Sequence, residues 1–349
     1  MASGPAPEGT RRHARASVQQ LWAGRGAAST ALLPLSWAFR GVVELRRRLF
    51  RQGVLASHRL PVPVIVVGNL IVGGAGKTPT VIALVHLLRA AGWTPGIVSR
   101  GYRRRDEALL DVTPQTEAAA CGDEPLLIRL RTAAPVVVGR ERVAAIRLLR
   151  ERHPDVNVVV SDDGLQHWAL HRDVEVIVFD DRGTGNGLLL PAGPLREPMP
   201  AAPPAGTLVL YNAVSPTTPL PGWTARRALD GVQPLADWWS GAAPLPLDVL
   251  HGRPLLAVAG IAAPERFFGM LEAAGLSITR CPLPDHHRFD KLPWSPNAAD
   301  VVLTEKDAVK LRPERIGHTR VWVAALDFRP DPAFNAALLR ALPLSRHEP

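Results

Sequence analysis

Hydrophobic positions in this chain gather into short unbroken runs, not long alternating ones. Val64 to Val67, Pro95 to Ser99, Pro135 to Val138, Val156 to Val160, Val174 to Phe179 and Leu208 to Tyr211 each read as a strand. Between them, helical periodicity runs over Thr80 to Leu88, Asp123 to Leu130 and Glu141 to Glu151. Apolar runs that lack polar alternation predict strands buried on both faces. Their alternation with helices predicts an α/β fold, a mainly parallel sheet with helices on both sides.

Farther along, Pro191 to Pro204 is a proline-rich connection, and Trp223 to Leu250 shows weak periodicity with several turn residues. A lobe boundary is expected there: residues 59–222 form the main lobe, 223–250 a linker and 251–345 a smaller α/β lobe. That last lobe is read from Leu255 to Val258, Pro264 to Ala274, Val301 to Leu303 and Val321 to Val323.

At the other end, Met1 to Arg15 is polar and rich in Gly, Pro and Arg, the composition of a disordered tail. Residues 16–58 differ. Ala27 to Phe39 is uncharged, with Leu32, Leu33, Leu35, Trp37 and Phe39, and is followed by Arg40, Arg46, Arg47, Arg48 and Arg51. This is shorter than the roughly 20 residues that cross a bilayer. Aromatics interleaved with arginines suit a helix lying at a membrane interface; a core helix packed on the main lobe is the other possibility. Pro34 is expected to kink either one.

One apolar run empties into a glycine-rich turn. After Val64 to Gly68 come Asn69, Leu70 and then Ile71-Val72-Gly73-Gly74-Ala75-Gly76-Lys77-Thr78, which opens a helix. Glycines let backbone N–H groups converge on phosphate oxygens, and the helix N-terminus adds partial positive charge. Lys77 then reaches the β/γ-phosphates and Thr78 offers its hydroxyl to Mg²⁺. Ile71 stands where the usual motif has its first glycine. The pattern predicts a P-loop, a nucleoside triphosphate site over Ile71 to Thr78.

Val158 to Ser161 ends in Asp162 and Asp163. Ligands of such sheets gather at the carboxyl ends of strands, so these two acids are expected to face Mg²⁺ beside the cradle. A solvated Asp-Asp-Gly turn is the alternative. Asp180-Asp181 ends the next strand and reads as a turn.

Charge adds breadth but no identity. The 349 residues carry 41 Lys and Arg against 32 Asp and Glu, a net +9, which attracts nucleic acid, acidic lipid headgroups or phosphorylated substrates. Little aromatic interleaving appears outside the N-terminal segment and no nucleic-acid module is present, so a nucleic-acid partner is not expected. Cys121 and Cys281 form neither metal-ligand spacing nor a disulfide framework. In Thr304-Glu305-Lys306-Asp307 the lysine is third, whereas guanine-reading loops place it second. That argues against a GTPase and leaves open whether this loop touches a base or caps a helix. The alternative function is a partitioning- or metallochaperone-type P-loop ATPase or GTPase acting through nucleotide-dependent association.

Separated segments taken together resemble the tetraacyldisaccharide 4′-kinase family of lipid A synthesis. They are Gly68-Asn69 with Val72 to Pro79, Ser99 to Tyr102, Gly122 to Pro125, Val138 to Arg140 and Asp162 to His167. Gly185 to Gly187 with Leu189 to Pro198, Asp285 to His287 and Thr304 to Leu311 complete the set. Ala75 stands where members more often carry Thr or Ser, an exchange that a backbone cradle tolerates.

The resemblance implies transfer of the γ-phosphate of ATP, with Mg²⁺, to the 4′-hydroxyl of a lipid A disaccharide 1-phosphate. It implies that Asp123 works with His286 as proton acceptor. The plainer roles for these residues are a helix cap and a loop. Gln166 and His167 fall on the acceptor side by the same resemblance, Asn69 is counted with the substrate-binding residues, and Arg100 and Tyr102, which follow a strand end, are expected near the nucleotide or the acceptor. For Arg196 and Glu197, a guanidinium on the transferring phosphate and an internal ion pair are both open. A monomer on the cytoplasmic face of the bacterial inner membrane, peripheral or monotopic on an anionic surface, completes the expectation.

Overall fold

The computed structural model describes residues 21–102, 104, 106–295, 298 and 300–343. The expected tail, the first residues of the N-terminal segment, Arg103, Arg105 and residues 344–345 lie outside the described residues. Along the chain run β1 (Val64–Gly68), β2 (Pro95–Ser99), β3 (Leu110–Val112), β4 (Val136–Val138), β5 (Val158–Asp162) and β6 (Val174–Asp180). Then come β7 (Thr207–Asn212), β8 (Trp223–Pro234), β9 (Leu255–Ala259), β10 (Ile278–Pro282), β11 (Asp300–Thr304) and β12 (Arg320–Pro330).

These strands join in one sheet, in the order β10-β9-β11-β12-β8-β7-β6-β1-β5-β2-β4-β3. Its ladders are parallel except β3 with β4 and β8 with β12. Every residue of β1, β2 and β5 is buried, as unbroken apolar runs require of strands covered on both faces. β1 lies between β5 and β6. The glycine loop therefore leaves β1 at the carboxyl edge, beside Asp162, which pairs in register with Val67.

The expected linker is a correction. Residues 223–234 form β8, which pairs parallel with β7 through Leu210↔Trp223 and Tyr211↔Thr224 and antiparallel with β12 along most of its length. A helix, Leu235–Ser240, follows, and its Leu235 and Trp238 enter an apolar core that also holds Leu84 and Val301. A strand that passes from one lobe to the other has mixed exposure along it, which hides its period. Edge strand β10 is hidden in the sequence for the same reason, since its residues meet solvent unevenly.

Two helix boundaries also differ from expectation. The helix after the loop spans Lys77–Ala90, starting before Thr80, because Pro79 sits in the first turn where an N–H has no intrahelical partner. Likewise Pro34 opens the helix Leu33–Arg51 and does not kink it, after a short helix Ala27–Ala31. Leu33–Arg51 docks through Ser36 and through Arg47, whose guanidinium lies 5.2 Å from the Trp168 ring centre. Ser36 donates to the Leu189 carbonyl (2.9 Å) and accepts from the Ala192 N–H (3.0 Å). Leu35, Trp37, Val42 and Leu45 point outward and are exposed, so this helix is not the core helix considered above. No described helix is long and apolar enough to cross a membrane.

Candidate active site

The loop between β1 and helix Lys77–Ala90 is tied down by its own first residue. Asn69 is fully buried; its Nδ2 donates to the Gly73 carbonyl (2.9 Å) and its Oδ1 accepts from Lys77 Nζ (3.1 Å). Asn69, expected among the substrate-binding residues, thus lies inside the cradle. Gly76 caps the helix at φ 92°, and a Cβ there would lie 2.1 Å from the Asn212 amide, so only glycine fits. Ile71 and Ala75 are buried, while Lys77 and Thr78 start the helix with their side chains at the mouth. No described carbonyl accepts from the N–H groups of Gly73, Gly74 and Ala75, the arrangement a phosphate cradle needs.

Carboxylates line the next edge. Asp163 lies 3.5 Å from Lys77 Nζ and accepts from Arg196 (3.2 Å); its own φ is 48°, in the left-handed region. Burial raises its carboxyl, but Lys77 and Arg196 prevail and hold it below its ordinary value. Asp162 accepts from Ser99 Oγ (3.0 Å), and its other oxygen is buried with no donor. Burial, then the Glu124 and Asp163 charges, pushes Asp162 up to about 7. Glu124 is the third acid, held by Lys306 (2.8 Å). Burial alone would raise it, yet Lys306 and Lys77 bring it down to about 2.

A divalent cation fits this donor set. An orphaned carboxylate oxygen, three mutually repelling acids and the Thr78 hydroxyl are what Mg²⁺ uses when phosphate and water supply the rest. Among the described residues no three His, Cys, Asp or Glu form a ready-made metal cluster.

The second lobe brings the remaining groups. Asp123 is the first residue of helix Asp123–Thr132, whose cap is Gly122; its side chain caps nothing. It accepts instead from His286 Nδ1 at 3.0 Å, across the lobes. Gly122, at φ 97°, lets that helix start against Gly101. His286 has φ 61°, an uncommon backbone for a side-chain-bearing residue. It is fixed there by its N–H donating to the Gly260 carbonyl (3.0 Å), while the Gly260 N–H donates to Asp307 (2.9 Å). Asp307 also accepts from Thr304 and from Lys310 (2.8 Å), and Lys310 stands 3.9 Å from Asp123. The Thr304–Asp307 segment therefore caps its helix and braces the pair. Arg131 meets Glu305 at 2.6 Å, a further bond between lobes.

Around this pair sit the other expected residues. Tyr102 is 55 % exposed with its ring 5.5 Å from that of His286, and Arg100 is exposed. Gln166 joins the expected pair without their touching: it accepts from Arg196 (3.2 Å) and donates to Glu197 (2.8 Å). Burial raises Glu197. Arg196 thus reaches Asp163 and Gln166, not its neighbour Glu197. His167 has a buried Nε2 without a partner, and burial followed by the Arg142 charge lowers it to about 4. A cavity of about 310 Å³ opens beside the cradle, walled by Ile82, Leu127, Ile261, Phe267 and Phe328, with Thr304 to Lys306 on its rim.

Residue order alone did not reveal Glu124, Ser99, Lys306 or Lys310. All four carried the same signal, each lying inside a segment that resembles the kinase family, but the contacts that tie them to the site, Ser99 to Asp162, Glu124 to Lys306 and Lys310 to Asp123, join distant parts of the chain.

A parallel sheet whose first loop is a helix-capped phosphate cradle, with acids on the adjacent strand, defines a P-loop phosphotransferase class. The profile of the LpxK family, described as tetraacyldisaccharide-1-P 4′-kinase, matches residues 28–343. The chain is 56 % identical over 338 residues to the tetraacyldisaccharide 4′-kinase of Methylibium petroleiphilum, covering 95 % of this chain and 94 % of that protein. It is 53 % identical over 346 residues to that of Leptothrix cholodnii, covering 97 % and 99 %. The solved structure of LpxK from Aquifex aeolicus, described as an apo form in complex with ATP, matches with a TM-score of 0.75 and 27 % identity. It covers 90 % of this chain and 100 % of that one. The chain belongs to the tetraacyldisaccharide 4′-kinase family: it is an ATP-dependent phosphotransferase with an alcohol acceptor, acting in lipid A synthesis.

Proposed function

We propose that the cradle holds the ATP triphosphate, that the Asp123–His286 pair takes the proton of the lipid's 4′-hydroxyl, and that the exposed helix brings the enzyme to its substrate at a membrane. The observation that carries this reading is the 3.0 Å bond between Asp123 and His286, which joins two lobes at the rim of the cradle.

Phosphoryl transfer leaves a protein chiefly positioning and charge neutralisation to perform. The free N–H groups of the loop and Lys77 receive the β- and γ-phosphates, and the nucleoside extends into the adjacent cavity. Thr78, Asp162 and Asp163 are the residues that would hold Mg²⁺, which when bound neutralises phosphate charge. Arg196, already beside Asp163, supplies a further cation toward the transferring group. The acceptor hydroxyl attacks the γ-phosphorus, the bond to the β-phosphate oxygen breaks, and ADP leaves. With His286 Nδ1 given to Asp123, Nε2 is the nitrogen left to receive the hydroxyl proton, and the Asp123 carboxylate stabilises the imidazolium. Arg100, Tyr102, Gln166 and His167 line the acceptor side.

The outward Leu35, Trp37, Val42 and Leu45 with Arg40, Arg46, Arg48 and Arg51 support peripheral attachment to an anionic surface. For a bacterial lipid A enzyme that surface is the cytoplasmic face of the inner membrane, and the protein works there as a monomer. The test is transfer from γ-labelled ATP to a tetraacyldisaccharide 1-phosphate in mixed micelles. His286→Ala and Asp123→Ala should remove most label from the lipid while ATP still binds; full transfer by either variant would end the proton-acceptor assignment.

A further inference from the structure

The glycine loop is held by side chains that the phosphate-binding motif does not contain. Its four consecutive carbonyls each have a side-chain donor. Val72 O accepts from Arg182 Nη1 (3.3 Å), Gly73 O from Asn69, Gly74 O from Arg182 Nη2 (2.6 Å) and Ala75 O from Asn212 Nδ2 (3.1 Å). A peptide whose carbonyl is fixed on one side has its neighbouring N–H turned to the other. Those N–H groups are the ones with no described carbonyl partner.

Arg182 does the largest share and is itself aimed. Its Nε donates to both Asp180 oxygens (3.1 and 3.0 Å) and its Nη2 lies 2.9 Å from Asp180, which is buried at the end of β6. The planar fork thus spans a carboxylate on one edge and two loop carbonyls on the other, a geometry open to guanidinium and closed to an ammonium. A loop with Ile71 in place of its first glycine, and with Gly73 and Gly76 in the left-handed region, gains from such an external frame.

We propose that Arg182, aimed by Asp180 and assisted by Asn212, is a positioning residue that preforms the phosphate cradle by holding its carbonyls. This rests on the reading of Ile71 to Thr78 as the ATP site. Without the frame, part of the binding energy of ATP must order the loop, so affinity falls while the transfer step, once ATP is seated, is largely kept.

Steady-state kinetics and calorimetric ADP binding on the full-length protein test this. Arg182→Ala should raise KM for ATP and Kd for ADP by about 10-fold or more, with kcat within about threefold and KM for lipid unchanged. Arg182→Lys keeps the charge but loses the fork, and should resemble Arg182→Ala; Asp180→Asn should fall between them and wild type. If Arg182→Lys restores wild-type KM, the residue acts as a charge on phosphate and the framing role is overturned. Unchanged ATP and ADP affinity in Arg182→Ala overturns it too. Should that variant not fold, Arg182→Lys decides alone: weakened ADP binding supports the frame and wild-type binding overturns it. Lys77→Ala run in parallel separates the levels: active Lys77→Ala overturns the ATP-site reading itself, whereas inactive Lys77→Ala beside unaffected Arg182 variants overturns the frame alone.

Discussion

The cradle and the acceptor side are finished to different degrees. In the cradle, Asn69, Lys77, Asp163 and Arg196 form one connected chain of contacts, and each loop carbonyl from Val72 to Ala75 has a side-chain donor. Among the residues proposed for the acceptor, His167 Nε2 lacks a partner, as Asp162 Oδ1 does beside the cradle, Arg100 and Tyr102 are exposed, and the central pair is contributed by two lobes. The contrast follows from the ligands. A triphosphate is small, rigid in its demands and met by backbone, so one lobe can preform its site. A bulky acylated sugar, the acceptor proposed here, calls for a more open surface.

The largest effect should separate the two halves outright. Lys77→Ala removes a point charge where transferring phosphate must be neutralised, and should cut transfer by about 10³-fold. Single-turnover measurement with saturating lipid checks it; a loss that extra lipid repairs would put Lys77 on the wrong side of the comparison. Next come Asp123→Ala and His286→Ala, each expected to lower kcat by roughly 10²-fold with KM for ATP little changed. The double variant should be no worse than the poorer single one, since the two act as a unit. Multiplicative losses would mean that each lobe contributes independently.

How much of this was readable in the chain depends on where a residue's partners lie. Ile71 to Thr78 is contiguous, so its chemistry was legible from order alone, and so was Asp162-Asp163 at the end of a buried run. Asp123 and His286 are 163 residues apart, and only resemblance joined them; no spacing rule connects a helix start in one lobe to a strained loop in the other. Glu124 drew no reading of its own, because Lys306, which makes it a buried anion, lies on a different lobe. Arg182 was invisible for another reason: its acceptors are main-chain carbonyls, which every residue carries. The linker expected at 223–250 failed because β8 serves both lobes and so has no single buried face.

A smaller effect probes how the acceptor side meets its lipid. Trp37→Ser with Leu45→Ser removes exposed apolar groups that lie outside the packed core, so folding should be unaffected. Lost burial at a headgroup boundary, at roughly 25 cal/mol per Å², should raise KM for lipid in anionic vesicles about 10-fold and leave KM for ATP alone. Flotation with vesicles at low and high salt would separate the apolar part from the arginine part, which salt screens. Vesicle binding that survives both changes would remove this helix from the acceptor half.

The smallest effect concerns the unfinished polar group itself. His167 titrates near 4 in the folded protein because burial and Arg142 disfavour its charged form, against about 6.5 when unfolded. Between those values the unfolded chain binds more protons than the folded one, so stability contributed by neutral His167 is complete above about 6.5 and is lost as pH falls toward 4. Partial exposure screens the term, which leaves on the order of 1 kcal/mol across the window. Urea unfolding of wild type and His167→Gln, from neutral pH down to about 4, should show the shallower decline in the variant. If saturating lipid places an acceptor oxygen against Nε2, it favours the protonated ring and brings the folded value back up. The wild-type slope should then flatten toward that of the variant, whereas ATP alone, confined to the finished half, should leave it unchanged.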